Sequence, residues 1–159
     1  MTEQRLLSLV RQAVERYGMI GEGDRIAVGV SGGKDSLTLL YALARLSSFY
    51  PKSFSVRGIC VDLGLGGADF NGIKRFAGEL GVELRIVSTQ IGKIVLEERK
   101  EKNPCSLCAK MRKGALVKEA LDMGCGKIAY AHHKDDFVET MLMSLIFQGR
   151  VYAFPPVTW

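Results

Sequence analysis

Two hydrophobic periods take turns along this chain. Residues 3–17 place Leu6, Leu7, Val10, Ala13, Val14 and Tyr17 on one face of a helix, and Gly18 supplies a stop. Arg25–Val30 is then a nearly continuous apolar run of strand length. Asp35–Ser48 returns to the helical period, Ser53–Asp62 reads as a strand, and the glycine-rich residues 64–72 lead into a helix ending at Gly81. Val82–Thr89 alternates as a strand. A helix over 91–100, a break at Asn103-Pro104 and a longer helix over Ser106–Met123 follow. Lys127–His132 is the fourth strand and Asp135–Phe147 an apolar helix. This alternation predicts an α/β fold, a doubly wound parallel sheet of about four to five strands with helices on both faces. Such sheets take ligands at the carboxyl ends of their strands, where the connection order reverses. Polar motifs follow strands one and four, so they meet if those strands are neighbours.

The 159 residues are one domain's worth. A composition 47% hydrophobic and 25% charged excludes disordered and fibrous classes. No apolar run approaches the ~18 residues of a membrane span. The N-terminus carries scattered charges and no cleavable apolar core, so the expectation is a cytoplasmic protein without a membrane partner. Charge changes the picture more. Between Lys93 and Lys118, eight basic residues stand against three acids, and this stretch accounts for the whole net charge of +5. It suits a polyanionic partner, although alone it reads more simply as a solvated helix face.

Strand one runs into Ser31-Gly32-Gly33-Lys34-Asp35-Ser36 and a helix follows. Glycines let backbone N–H groups turn toward an anion, and the helix start adds partial positive charge. Lys34 adds a full charge, and Ser31 and Ser36 add hydroxyl donors. A Walker A loop is excluded, because Val28 stands where its first glycine belongs and Asp35 where Ser or Thr follows the lysine. Strand four leads to His132-His133-Lys134-Asp135-Asp136-Phe137-Val138-Glu139-Thr140. Acids in a first helical turn suit the helix dipole. A carboxylate pair facing phosphate also needs a cation, which makes Asp135 and Asp136 candidate Mg²⁺ ligands. Strand alternation would point His132 and His133 to opposite faces, against a shared zinc.

Cys105-Ser-Leu-Cys108 opens a helix, where thiolates are favoured. In an unsecreted protein the spacing reads as metal, cluster or redox chemistry. Cys60, inside strand two, is expected to be buried. Cys125, between two glycines, is less easily assigned.

SGGKDS after the first strand resembles the signature of the PP-loop ATP pyrophosphatases, which have an adenine nucleotide alpha hydrolase-like fold. The resemblance implies that Ser31, Gly32, Gly33, Lys34, Asp35 and Ser36 hold the pyrophosphate portion of ATP. HHKDDFVET is similar to the GHHxDDxxET element of PP-loop tRNA-modifying enzymes, with Ala131 where glycine is frequent. It implies nucleotide contacts from His132 and His133. NPCSLCAKMRKG and the DLGLG after strand two resemble the sulfur-transfer branch, which includes the tRNA 2-thiocytidine synthetases. There Val61, Asp62 and Leu63 would lie along the adenosine, and Cys105 and Cys108 would hold a [4Fe–4S] cluster with one later cysteine. No cysteine here matches that third ligand, so the resemblance predicts a single ATP-binding domain over residues 1–159 that is truncated at its C-terminus.

The expectation is an ATP-dependent tRNA thiolation enzyme or its catalytic core, with Lys34, Asp35, Asp136, Cys105 and Cys108 carrying catalysis. ATP and Mg²⁺ are the expected cofactors, with a cluster if a further cysteine is supplied. tRNA on residues 93–118 and a sulfur donor are the expected partners, and a homodimer is allowed. The rivals are a tRNA-lysidine-type PP-loop ligase, which needs no CxxC, and a non-catalytic nucleotide-binding module.

Overall fold

The computed structural model describes residues 2–95 and 104–158. The elements run α1 (Glu3–Arg16), β1 (Asp24–Gly29), α2 (Lys34–Ser47), β2 (Phe54–Asp62), α3 (Asn71–Glu79), β3 (Glu83–Ser88), α4 (Ile91–Lys93), α5 (Pro104–Asp122), β4 (Lys127–Ala129) and α6 (Lys134–Gln148). Four strands form one parallel sheet in the order β3-β2-β1-β4. The chain steps outward from β1 to β3, then returns across the sheet to place β4 on the other side of β1. That reversal puts the switch point at β1.

Strands buried on both faces need apolar residues of both parities, and β1 and β2 have them. Ile26, Val28 and Val56 pack with Val14, Leu40, Leu43 and Ala77 of the α1, α2 and α3 layer. Ala27, Ile59 and Val61 pack with Ile91, Leu116 and Ala120 of the α4 and α5 layer. Arg85 Nη1 donates to Glu119 Oε1 at 2.7 Å and clips α5 to the outer strand. No helix among the described residues is long and apolar enough to cross a membrane.

The loop after β2 is fixed by the β3–α4 corner. The Gly92 N–H donates to the Leu63 carbonyl at 2.7 Å, and Thr89 Oγ1 donates to the Asp62 carbonyl at 2.6 Å. Gly64 sits at φ +73°, and a Cβ there would strike the Thr89 carbonyl, so only glycine allows this close approach.

One expectation is corrected. β4 holds three residues rather than the six of Lys127–His132, because within the described chain it pairs only with β1, over Ile26–Val28. His132 and His133 therefore lie beyond the strand, and strand alternation does not separate them. The α6 helix matches its apolar pattern, but Ile146 and Phe147 are exposed, and Ser144 is its buried residue. The helix expected over 91–100 is described only for its first part. Its remainder, with Arg99, Lys100, Lys102 and the break at Asn103, lies outside the described residues.

At the opposite sheet edge Lys127 Nζ donates to Asp24 Oδ2 at 2.6 Å and to the Met19 carbonyl at 2.9 Å. Burial pushes the Asp24 carboxyl up, but hydrogen bonds from Lys127 and the Gly21 N–H, with the charges of Lys127 and Lys52, outweigh it and hold it below the usual range. A carboxyl lowered by folding stabilises the fold above its unfolded value of about 3.9, and that contribution fades as pH falls through the folded value. Urea midpoints between pH 5 and 3 should therefore fall less steeply in Asp24→Asn than in the parent chain. Equal slopes would remove Asp24 from the account.

Candidate functional site

The turn from β1 into α2 is held together by its own serines. Gly32 has φ +83°, and a Cβ there would stand 3.3 Å from Ile73 Cδ1, so glycine suits both the turn and the packing. Gly33 caps α2 with no side-chain hydrogen bond to the first turn. The opening N–H groups of a helix have no intrahelical partner, and here they face the carboxyl edge of the sheet with the exposed Lys34 and Asp35. Ser36 has a different part. It is 5% exposed, accepts from the Ser31 N–H at 3.1 Å and donates to the Gly33 carbonyl at 2.9 Å. Its hydroxyl holds the shape of the loop together with the Ser31 hydroxyl, which lies 3.1 Å from it and accepts the Gly33 N–H at 3.4 Å.

β1–β4 pairing brings the second motif alongside. His133 caps α6, and its N–H donates to Asp136 Oδ2 at 2.8 Å. Its ring lies between two acids, Nδ1 at 3.5 Å from Asp136 Oδ2 and Nε2 at 4.0 Å from Asp35 Oδ2. His132 Nδ1 stands 3.8 Å from the same Asp136 oxygen. Asp135 is exposed in that first turn. Residues nearly a hundred positions apart thus form an acid–imidazole–acid row at the mouth of the anion loop. Carboxylates beside a phosphate-binding turn fit a hard divalent cation that shares its oxygens with the phosphates.

Next to this row a cavity of about 220 Å³ opens between the loop and the end of β2. Ser31, Val61, Asp62 and Leu63 line it, as do the buried Cys60, the 65–70 loop and Arg112. Asp62 Oδ1 accepts the Gly64 N–H at 3.0 Å and turns the loop. Arg112 has a neighbour that the sequence alone does not show. Its position in the basic stretch groups it with the RNA-facing charges, yet it reaches the cavity, and its charge pulls down a Cys60 thiol that burial pushes up. A signal for this does exist in the sequence: Arg112 follows Cys108 by four residues, one turn along the same helix face.

The cysteines divide. Cys105 is exposed and Cys108 half-buried at the start of α5, whereas Cys60 and Cys125 are buried. Burial also raises the Cys125 thiol. Among the described residues no group of three or more His, Cys, Asp or Glu is arranged to hold a metal. A four-iron cluster takes three or four protein ligands, so two thiols do not fit it alone.

Residues 2–153 match the PP-loop domain family. The chain belongs to the PP-loop family. Among PP-loop relatives, it is 40% identical over 155 residues to a tRNA-cytidine(32) 2-sulfurtransferase of Anaeromyxobacter sp. (strain Fw109-5), covering 97% of this chain and 51% of that one. The corresponding protein of Photorhabdus laumondii gives the same identity and coverage. The chain spans about half the length of these curated relatives. Its fold is similar to the U34-tRNA thiolase NcsA from Methanococcus maripaludis, solved with its [4Fe–4S] cluster, at TM-score 0.75 and 26% identity over 94% of this chain and 52% of that chain. It also shares a fold with the NH3-dependent NAD synthetase of Campylobacter jejuni, at TM-score 0.54 and 14% identity over 93% of this chain and 76% of that one.

Ser36→Ala should lower the unfolding free energy by about 1–3 kcal/mol, because the Ser31 N–H and Gly33 carbonyl lose a partly buried partner. Urea denaturation checks this. A loss below ~0.5 kcal/mol would mean that the loop keeps its shape without the hydroxyl.

Proposed function

We propose that this chain is the ATP-using core of a tRNA-thiolating enzyme, which activates a pyrimidine carbonyl as its adenylate before sulfur replaces the oxygen. One observation carries the reading: the Ser31–Ser36 turn and the His132–Asp136 turn meet at the switch point, His133 standing 4.0 Å from Asp35 and 3.5 Å from Asp136. An anion cradle and a pair of carboxylates side by side suit a nucleoside triphosphate with its Mg²⁺.

In this scheme the β and γ phosphates rest on the α2 N-terminus with Lys34, and the adenosine extends along Val61, Asp62 and Leu63 into the cavity. Asp136 and Asp35, joined through the His133 ring, are the carboxylates that would hold Mg²⁺, with Asp135 exposed in the same first turn of α6. The base carbonyl oxygen attacks the α-phosphorus, the bond to the bridging oxygen breaks, and pyrophosphate leaves with its charge met by Lys34; a bound Mg²⁺ would supply further charge neutralisation there. A sulfur nucleophile then attacks the activated ring carbon and AMP departs. Cys105 and Cys108 are the thiols open to a sulfur donor. A [4Fe–4S] cluster would need ligands from outside the described residues or from a second copy, and no step of this scheme passes through one.

The names of the relatives support a tRNA pyrimidine as substrate. Lys110, Lys113 and Lys118, exposed on α5, support RNA backbone contacts near the same edge. Unpaired loops are where an RNA base is accessible to such chemistry.

Lys34→Ala should weaken ATP binding about 10- to 150-fold by calorimetry, the ~1.5–3 kcal/mol of a charge-assisted contact. Unchanged affinity would reject the loop assignment. Replacing Lys110 and Lys113 with Ala should reduce the log–log salt slope of tRNA binding by about 0.7–0.9 for each phosphate left without its lysine. If slope and affinity both hold, α5 presents only a solvated face. AMP and pyrophosphate formation that depends on tRNA would distinguish the enzyme from a binding module.

A further inference from the structure

Four rings stand in a row beside the acid–imidazole–acid cluster, and the adenylation scheme gives none of them a substrate to hold. Tyr130 and His132 have ring centroids 6.0 Å apart with planes tilted by 30°. His132 and Phe154 are 5.0 Å apart at 44°, and Phe154 meets Phe137 edge-on at 6.0 Å. The row joins three places in the chain: the exit of β4, the first turn of α6, and the segment after α6. Burying these rings against one another would remove them from water, but Tyr130 and Phe137 stay 41% and 42% exposed. The His132 side chain is 59% exposed.

What such a row could take is narrowed by its neighbours. Within the row His132 stands 3.8 Å from Asp136 and leads directly into His133, whose ring is 4.0 Å from Asp35 of the Ser31–Ser36 turn. At the Tyr130 end of the row, Tyr130 and the α5 residue Leu116 both close on Gly29, where a methyl group would stand 3.8 Å and 3.2 Å from them. One turn earlier on α5 come Arg112 and Lys113. The rings therefore bridge a cationic helix and a phosphate-activating loop. A ligand that is polyanionic along one side and flat and π-faced on the other matches both, and a single-stranded nucleic acid has that form.

We infer that Tyr130, His132, Phe137 and Phe154 form the subsite on which the unpaired target base stacks, its carbonyl edge turned toward the anion loop. This inference rests on the proposed function and adds the place of the substrate base. Stacking suits the task, because every base offers a π-face and a base laid on an exposed ring is kept out of its own helix.

The test uses the full chain and an RNA stem–loop with one fluorescent cytidine analogue, pyrrolocytosine, in its loop. Binding to the parent protein should quench the analogue. Tyr130→Leu and Phe154→Leu should each abolish the quench and weaken RNA binding at least about fivefold, the lower end of what removing a base–ring stack costs. Phe154→Trp should restore both, and ATP affinity should be unchanged in all three variants. If RNA binds the parent but quench and affinity survive the leucine variants, the subsite is wrong and the proposed function stands. If the leucine variants also lose ATP binding, the rings are structural and the subsite is again wrong. If the parent binds no RNA, the proposed function falls and takes the subsite with it.

Discussion

Pairing of the short β4 with β1 is the constraint on which the rest of the site depends. Only three residues of each strand take part, Ile26–Val28 with Lys127–Ala129. That short ladder nevertheless sets where the chain turns off the sheet, and so where His133 and Asp136 stand relative to Asp35. Lys127 braces the far end through Asp24 and the Met19 carbonyl. A slip of one residue would reverse every side chain of β4 and carry the two turns apart. Chemistry at the carboxyl edge thus rests on a joint whose brace lies at the opposite edge.

The nucleotide end of the site is held differently. Backbone hydrogen bonds from the β3–α4 corner hold the loop after β2, and glycine at 64 allows the carbonyl of Thr89 to approach. Within the Ser31–Ser36 turn both serine hydroxyls are consumed internally, while Lys34 stays exposed at the start of α2. Rigid backbone on one side and exposed charge on the other is an arrangement suited to holding phosphates without rearrangement. Arg112 reaches the same cavity from the helix that carries the CxxC, so the cysteine pair and one wall of the cavity share one element.

Order and identity of the elements were legible in the sequence because their causes are local. A period of two or of 3.6 residues, a glycine stop and a proline break act over a few positions, and apart from the helix expected over 91–100, which is described only in part, each strand and helix falls within a few residues of its expected place. The anion turn and the CxxC were readable for the same reason. Apolar runs of both parities in β1 and β2 also made the parallel sheet legible. Only tertiary structure could decide the rest, because it depends on residues distant in the chain. Sheet order made neighbours of residues 35 and 136. A single-sided partner cut β4 to three residues and freed both histidines to turn toward Asp136. Helix packing sent Arg112 into the cavity, turn geometry drew the Ser36 hydroxyl inward, and the return of the chain after α6 laid Phe154 on His132. Each outcome follows from which surfaces meet across the sheet, and no local pattern of residues encodes that.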